Sequence, residues 1–266
     1  MLNHYEHVSD STIAEWVEQF HRDGYLFLPE FLSDNLVTQL KTDLDCELES
    51  TQNTYVGKDD AAETMRLRVR LFEHSPANLS LFDMDPMAKF AEAVIAPNCH
   101  VIHNNSFITR PSGGITTWHQ DDDIHYLVTS DAAPTNVHLP VLFFTANYYL
   151  TDVTEQKYGG TEVIPGSHLF GARPPKVMAG TEYESRVLPC LGKAGSVVCF
   201  NNQVWHRGGP NQSDRVRYIT QVTYGRRIIS HMYYPFMNYQ MPEHVYRDAN
   251  PRLRRLLGFM DHGAYG

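Results

Sequence analysis

The strongest limit on what this chain can fold into is a change of pattern at residue 100. Before it, apolar residues recur at helical spacing. After it, short runs rich in Val, Ile, Thr, Tyr and Phe alternate with clusters of Gly, Pro, Asn and Asp. Such runs, bounded by turn-forming residues, read as strands. They fall at 100–109, 115–120, 141–150, 161–164, 186–189, 196–200 and 216–225. A helical start followed by many short strands is an α+β, mainly β pattern: a barrel or sandwich with helices packed outside. The chain has 266 residues and no internal repeat, low-complexity tract or obvious linker. It therefore reads as a single domain, 1–266, with a helical part at about 9–96, a β core at about 100–228 and a C-terminal extension at 229–266.

Within the helical part, residues 9–23 read as an amphipathic helix. Thr12 and Glu15 fit a capping box, Ile13, Trp16, Val17 and Phe20 share a face, and Gly24 ends it. Tyr25 to Pro29 is a short strand. A second helix begins at Ser33 and carries Leu36, Val37, Leu40, Leu44 and Leu48 on one side. Residues 51–64 are polar and read as a loop. Residues 65–71 alternate strictly, with Leu67, Val69 and Leu71 on one face and Arg66, Arg68 and Arg70 on the other. The arginine face reads as solvated, with a pocket wall for an anionic substrate as the alternative. Residues 85–96 suit a helix ended by Pro97. Near the C-terminus, Pro251 and Gly258 bracket another.

Composition narrows the partners. A net charge of -9 argues against nucleic acid and anionic membrane surfaces, which reward clustered Lys and Arg. No apolar run approaches the ~20 residues needed to span a bilayer, and the N-terminus lacks the features of a signal peptide, so a cytoplasmic location is expected. The four cysteines are far apart, without a Cys-x-x-Cys pair, which disfavours a zinc knuckle or a disulfide framework. Cys199, in a strand-like run, reads as a small core residue.

Chemistry concentrates in Thr116-Thr117-Trp118-His119-Gln120-Asp121. In an extended strand, residues i and i+2 share a face, so His119 and Asp121 can converge on one ion. A third ligand must come from elsewhere, and His206 is the best candidate. Two His and one carboxylate with open positions opposite form the facial triad of non-haem Fe(II) oxygenases. A lone His-x-Asp is weak, and His125, His103, His138 and His168 are rival ligands. Eleven residues after His206 stands Arg217, whose rigid fork suits a carboxylate; Arg215 is its rival. Tyr158-Gly159-Gly160-Thr161-Glu162-Val163-Ile164-Pro165-Gly166-Ser167-His168 places two glycine turns around a short strand.

Taken together, these motifs resemble the phytanoyl-CoA dioxygenase family of Fe(II)- and 2-oxoglutarate-dependent oxygenases. The resemblance rests on His119-x-Asp121, the Gly159-to-His168 run, and His206 with Arg217. The opening Phe20-His21-Arg22-Asp23-Gly24-Tyr25-Leu26 and the closing Pro251-to-Gly258 run add to it. It implies a double-stranded β-helix, a jelly-roll barrel, with the N-terminal helices outside. It implies His119, Asp121 and His206 as iron ligands and Arg217 on the distal carboxylate of 2-oxoglutarate. Asn104 and Asn147 are implied as further cosubstrate contacts, and Thr116 and Trp118 as pocket lining. Trp118, Tyr126, Phe143, Phe144, Tyr148 and Tyr149 supply candidate substrate walls, at least half of them plain core. The implied reaction uses O2, converts 2-oxoglutarate to succinate and CO2, and oxidises a C–H bond of a small molecule, in specialised natural-product metabolism. Asp121 argues for hydroxylation or a related oxidation over halogenation, because the related halogenases lack this carboxylate. A protein-modifying hydroxylase and a non-catalytic metal- or ligand-binding barrel are the alternatives.

Overall fold

Two serines start the two long helices. Ser9 Oγ accepts the Thr12 backbone N–H at 3.2 Å, which opens α1 (Asp10–Asp23), and Gly24 closes it at φ 76°. The cap is thus Ser9 and not Thr12, which lies inside the first turn; the residue with extended backbone just ahead of the helix is the one that caps. Ser33 Oγ likewise accepts from Leu36 N–H at 3.4 Å, ahead of α2 (Asp34–Glu49). The computed structural model describes residues 5, 7–50, 54–56, 64–128, 138–233 and 238–260.

The strands are β1 (Tyr25–Leu28), β2 (Thr54–Val56), β3 (Met65–Val69), β4 (His100–Thr109) and β5 (Phe143–Tyr149), followed by β6 (Thr161–Val163), β7 (Leu188–Pro189), β8 (Val197–Asn201), β9 (His206–Gly208) and β10 (Arg217–Gly225). Seven form one sheet in the order β1-β8-β5-β10-β4-β3-β2, and three form a second in the order β7-β6-β9. All the pairings are antiparallel. This is the jelly-roll arrangement. The loop expected over 51–64 is corrected in part: Thr54–Val56 pairs with Arg66–Arg68. The rest of that stretch, apart from Thr64, lies outside the described residues.

Strand parity decides what each face meets. On β5, Phe144, Ala146 and Tyr148 turn outward to the main core, with Phe20 of α1, Leu40 of α2 and Phe90 of α4 (Met87–Val94). Phe20, Phe90 and Phe144 pack edge to face with ring centroids 5.4–5.5 Å apart, a geometry worth about 0.5–1.5 kcal/mol per pair beyond burial. Cys199 is buried in the same core, as its apolar neighbours suggested. The short α3 (Pro76–Ser80) and the C-terminal α5 (Glu243–Tyr246) and α6 (Pro251–Leu256) complete the helical layer.

Both readings of the arginine face fail. Arg66 donates to the Leu48 carbonyl at the end of α2. Arg68 is buried and pairs with Glu47 at 2.8 Å. Arg70 pairs with Glu73 at 3.5 Å and lies 4.9 Å over the Tyr239 ring. These arginines meet the end of α2 and the C-terminal extension, neither bulk solvent nor the cavity between the sheets. Carbonyls at a helix C-terminus favour cations, so Arg66 and Arg68 find their partners at the end of α2. No helix among the described residues is long and apolar enough to cross a membrane.

Candidate metal centre

The segment expected as a strand over 115–120 is not one. It is extended chain held beside β9 by a single bridge between His119 and His206. The two residues exchange backbone hydrogen bonds of 3.0 and 2.9 Å, Gly208 N–H donates to the Ile115 carbonyl, and Asp121 N–H donates to that of Asn202, each at 2.9 Å. The ladder is too sparse for a regular strand, yet it fixes what matters. His119 and Asp121 emerge on the same side as His206.

The three side chains converge. Asp121 Oδ1 is 3.9 Å from His119 Nε2 and 3.4 Å from His206 Nε2, and one ligand atom from each lies within 4.8 Å of the others. Both rings are oriented from behind. His119 Nδ1 is 2.8 Å from the Thr117 carbonyl, and His206 Nδ1 is 2.9 Å from that of Val204. A carbonyl only accepts, so each Nδ1 carries the hydrogen and each Nε2 is left to bind an ion. His206 is buried, whereas His119 and Asp121 are about a third exposed, so the site opens to solvent on their side. Burial works to raise the Asp121 pKa, but the charge and hydrogen bond of His206, and then His119, outweigh it and hold the carboxyl below its usual range. Burial opposes charge on His206 too, and Asp121 overcomes it, raising that imidazole. His119 is lowered, by burial first and then by His206. A carboxylate that attracts cations and two aligned imidazoles make a donor set suited to a divalent ion such as iron.

The rival ligands are engaged elsewhere. His125 Nε2 is 3.1 Å from Asp122 and 3.2 Å from Asn202 Nδ2. His168 donates to the His21 carbonyl at 3.0 Å, and His138 stacks on His21 at 4.8 Å. His103 faces the same cavity as the triad without joining it.

The cavity holds about 290 Å³ and lies between the inner face of the large sheet and the small sheet. Arg217 closes one end, buried at 5 % exposure. Its Nη1 donates to the Gly209 carbonyl at 3.3 Å and its Nη2 to Thr109 Oγ1 at 3.2 Å, while Nε is buried without a partner. Burial lowers this guanidinium to about 10. Gly159 lies beside it in the left-handed region, φ 73°, and a Cβ there would sit 2.7 Å from Arg217 Nη1. An under-bonded buried cation, with space kept clear by a glycine, fits the carboxylate of a small dicarboxylic acid. Arg215, the rival, is exposed and stacks 4.8 Å over the Tyr158 ring.

Three expected contacts are corrected by parity. Asn104 points away from the cavity: its Nδ2 donates to the Gln221 carbonyl at 2.8 Å and its Oδ1 accepts from Phe72 N–H at 3.4 Å. Asn105, one residue on, lines the cavity. Thr116 is exposed and off the cavity, whereas Ile115, itself half exposed, lines the cavity. Trp118 is buried in an outer cluster with Ile164, Met178 and Trp205. In extended chain a one-residue step reverses the face. Asn147 does line the cavity, donating to Thr161 Oγ1 at 3.2 Å and accepting from Gln221 Nε2 at 2.6 Å. Of the six candidate wall aromatics, Phe143 alone is at the cavity surface; Phe144 and Tyr148 belong to the outer core. Sequence reading missed Asn105, Thr145, Gln221 and Thr223 and singled out His103 only as a rival ligand; all five lie on the inner face. Their signal is shared parity with Arg217 and Asn147 across paired strands.

Comparison with known proteins places the chain in a family. Residues 20–219 match the model of the family described as phytanoyl-CoA dioxygenase (PhyH). The dioxygenase trt7 of Aspergillus terreus is 21 % identical over 261 residues, covering 95 % of this chain and 85 % of that protein. HygX from Streptomyces hygroscopicus, solved with nickel, 2-oxoglutarate and hygromycin B bound, superposes with a TM-score of 0.64 at 16 % identity, covering 82 % of this chain and 88 % of that one. SnoK, a non-heme alpha ketoglutarate dependent carbocyclase from nogalamycin biosynthesis, superposes with a TM-score of 0.61 at 20 % identity, over 84 % of this chain and 86 % of that one. With the family match spanning most of its length, the chain belongs to the phytanoyl-CoA dioxygenase family of Fe(II)- and 2-oxoglutarate-dependent oxygenases.

Proposed function

We propose that this oxygenase oxidises a C–H bond of a small molecule, by hydroxylation or a related reaction, in natural-product metabolism in the cytosol, acting as one domain. The observation that carries the proposal is the pairing of two features in one cavity: the His119–Asp121–His206 cluster and the under-bonded buried guanidinium of Arg217. A cavity that only binds a ligand needs no such pair. HygX, with nickel and 2-oxoglutarate bound, and the biosynthetic enzyme SnoK support the reading.

His119, Asp121 and His206 would hold Fe(II) through the two Nε2 atoms and a carboxylate oxygen. Iron, 2-oxoglutarate and O2 together supply the oxidising power for C–H attack. The remaining work is done by the chain. The Thr117 and Val204 carbonyls fix the tautomers of the two ligand rings. Arg217 anchors the distal carboxylate of 2-oxoglutarate and so sets its direction along the cavity, and Gly159 leaves room for that carboxylate. Asn147 lies between Arg217 and the triad and offers a carboxamide to the cosubstrate, with Asn105 taking the place expected for Asn104. Phe143, Phe200 and Ile219 give the cavity apolar walls that limit water.

Succinate formation from 2-oxoglutarate, with Fe(II), ascorbate and air, tests the proposal. Asp121→Ala should lower it at least about 100-fold, since loss of a ligand exceeds the 10–100-fold cost of losing a group that merely orients one, while His125→Ala stays near wild type. The reverse pattern, or no succinate from the wild type, overturns the assignment.

A further inference from the structure

The roles assigned so far leave part of the cavity wall unused. At the end away from Arg217, on the row of Phe200, whose ring lies 4.2 Å from that of His206, three paired strands bring His103, Thr223 and Thr145 side by side. All three line the cavity. His103 Nδ1 is 3.1 Å from the Met232 carbonyl. The carbonyl can only accept, so Nδ1 carries the hydrogen and the neutral ring presents Nε2 as an acceptor. The Thr145 and Thr223 hydroxyls are 3.0 Å apart. One hydrogen lies between them, and the other is left to donate. In the next row Gln221 is bonded to Asn147, while Asn105 Oδ1 is buried without a partner. Among the described residues, the only ionisable groups lining the cavity, beyond the histidines, are Asp121, Arg207 and Arg217. Arg207 is already paired with Glu162 at 2.6 Å.

An acceptor next to a donor is the complement of a hydroxyl group, which is both. Sites built to bond a hydroxyl strongly reject analogues that lack it, because their own polar groups are then left unpaired. We propose that this end of the cavity recognises an uncharged, hydroxyl-bearing edge of the substrate through His103, Thr145 and Thr223, so that the carbon oxidised belongs to a hydroxylated ring or chain and not to a fatty acyl tail. The proposal rests on the functional reading above only in giving the Arg217 end to the cosubstrate.

The test is ligand-observed NMR at millimolar concentration of cis-cyclohexane-1,2-diol, cyclohexanecarboxylate, cyclohexylamine and hexadecanoyl-CoA. It is run on the metal-free protein and on protein loaded with Ni(II) and 2-oxoglutarate. The diol should bind best in both. His103→Phe and Thr223→Val should each weaken it about tenfold, the size of one lost hydrogen bond at the upper end of the usual range. Thr145→Val serves as a further variant if either fails to fold, and folded variants should keep the wild-type affinity for 2-oxoglutarate. A carboxylate, amine or acyl-CoA that binds as well as the diol overturns the proposal. So does diol binding that is indifferent to the substitutions, or no diol binding at all. Succinate formation is scored separately: diol binding without turnover refutes the oxygenase reading alone, and turnover without diol preference refutes this one alone.

Discussion

At the scale of the residue, Arg217 carries a tension that can be measured. It is buried, one of its nitrogens has no partner, and burial lowers its pKa to about 10. A buried cation with incomplete hydrogen bonding costs stability, and an apolar replacement of similar volume is often neutral or stabilising by about 1–4 kcal/mol. Arg217→Met should therefore melt higher than wild type when no 2-oxoglutarate is present, by the equivalent of about 1–2 kcal/mol, and should lose the rise in Tm that 2-oxoglutarate gives the wild type. Arg217→Lys keeps the charge but not the fork, so the KM for 2-oxoglutarate should rise about 10–100-fold. Thermal melts with and without 2-oxoglutarate, plus one KM, check both. A Met variant that melts lower without 2-oxoglutarate would mean that this arginine is structural.

At the scale of the element, the turn between β5 and β6 does what a side chain cannot. Gly159 sits at φ 73°, and a Cβ on it would stand 2.6 Å from the Gly209 carbonyl oxygen and 2.7 Å from Arg217 Nη1. Gly159→Ala should cost about 1–3 kcal/mol, from left-handed backbone and close approach together, and should raise the KM for 2-oxoglutarate by displacing the guanidinium. Gly180 has a similar φ of 79° but open space around it; Gly180→Ala should cost about 1 kcal/mol or less and leave that KM alone. Equal effects on KM would discount the contact. The Gly159 turn was visible in the sequence, and so were the longer strands: β4 fills the span expected for it, His100–Thr109, and β10 begins at Arg217. The facing of β4 was not visible. It is largely buried along its whole length, with the core on one side and the cavity on the other. The apolar-in, polar-out alternation that marks a face is absent from a strand covered on both sides. Asn104 was implied by the resemblance, and nothing in the strand's own pattern could show that Asn105 faces the cavity in its place. The convergence of His119 and Asp121 was legible for the opposite reason: a two-residue spacing keeps the face whichever parity is chosen.

At the scale of the whole molecule, the C-terminal extension is fastened to the barrel by groups that resist protonation. His231 stacks on Tyr233 with centroids 5.0 Å apart and lies 5.0 Å from the His100 ring, and its Nε2 is buried without a partner. Burial first, and then His100, lowers its pKa from 6.5 to about 4. Burial lowers His100 as well. The unfolded chain takes up these protons near pH 6.5, whereas folded His231 refuses its proton until about pH 4. The stabilisation is therefore complete above pH 6.5 and is lost progressively as the pH falls toward 4. Since His231 is partly open to solvent, its share is on the order of 1–2 kcal/mol. The next residue, Met232, donates its N–H to the Ile102 carbonyl at 2.7 Å, and its own carbonyl holds His103. Acid should thus loosen the substrate end of the cavity before the seven-stranded sheet opens. Hydrogen exchange at Met232 should rise between pH 6.5 and 4.5 while β10 stays protected, with Tm falling over the same range. In His231→Gln both trends should flatten. An unchanged slope in that variant would move the acid sensitivity to the carboxylates.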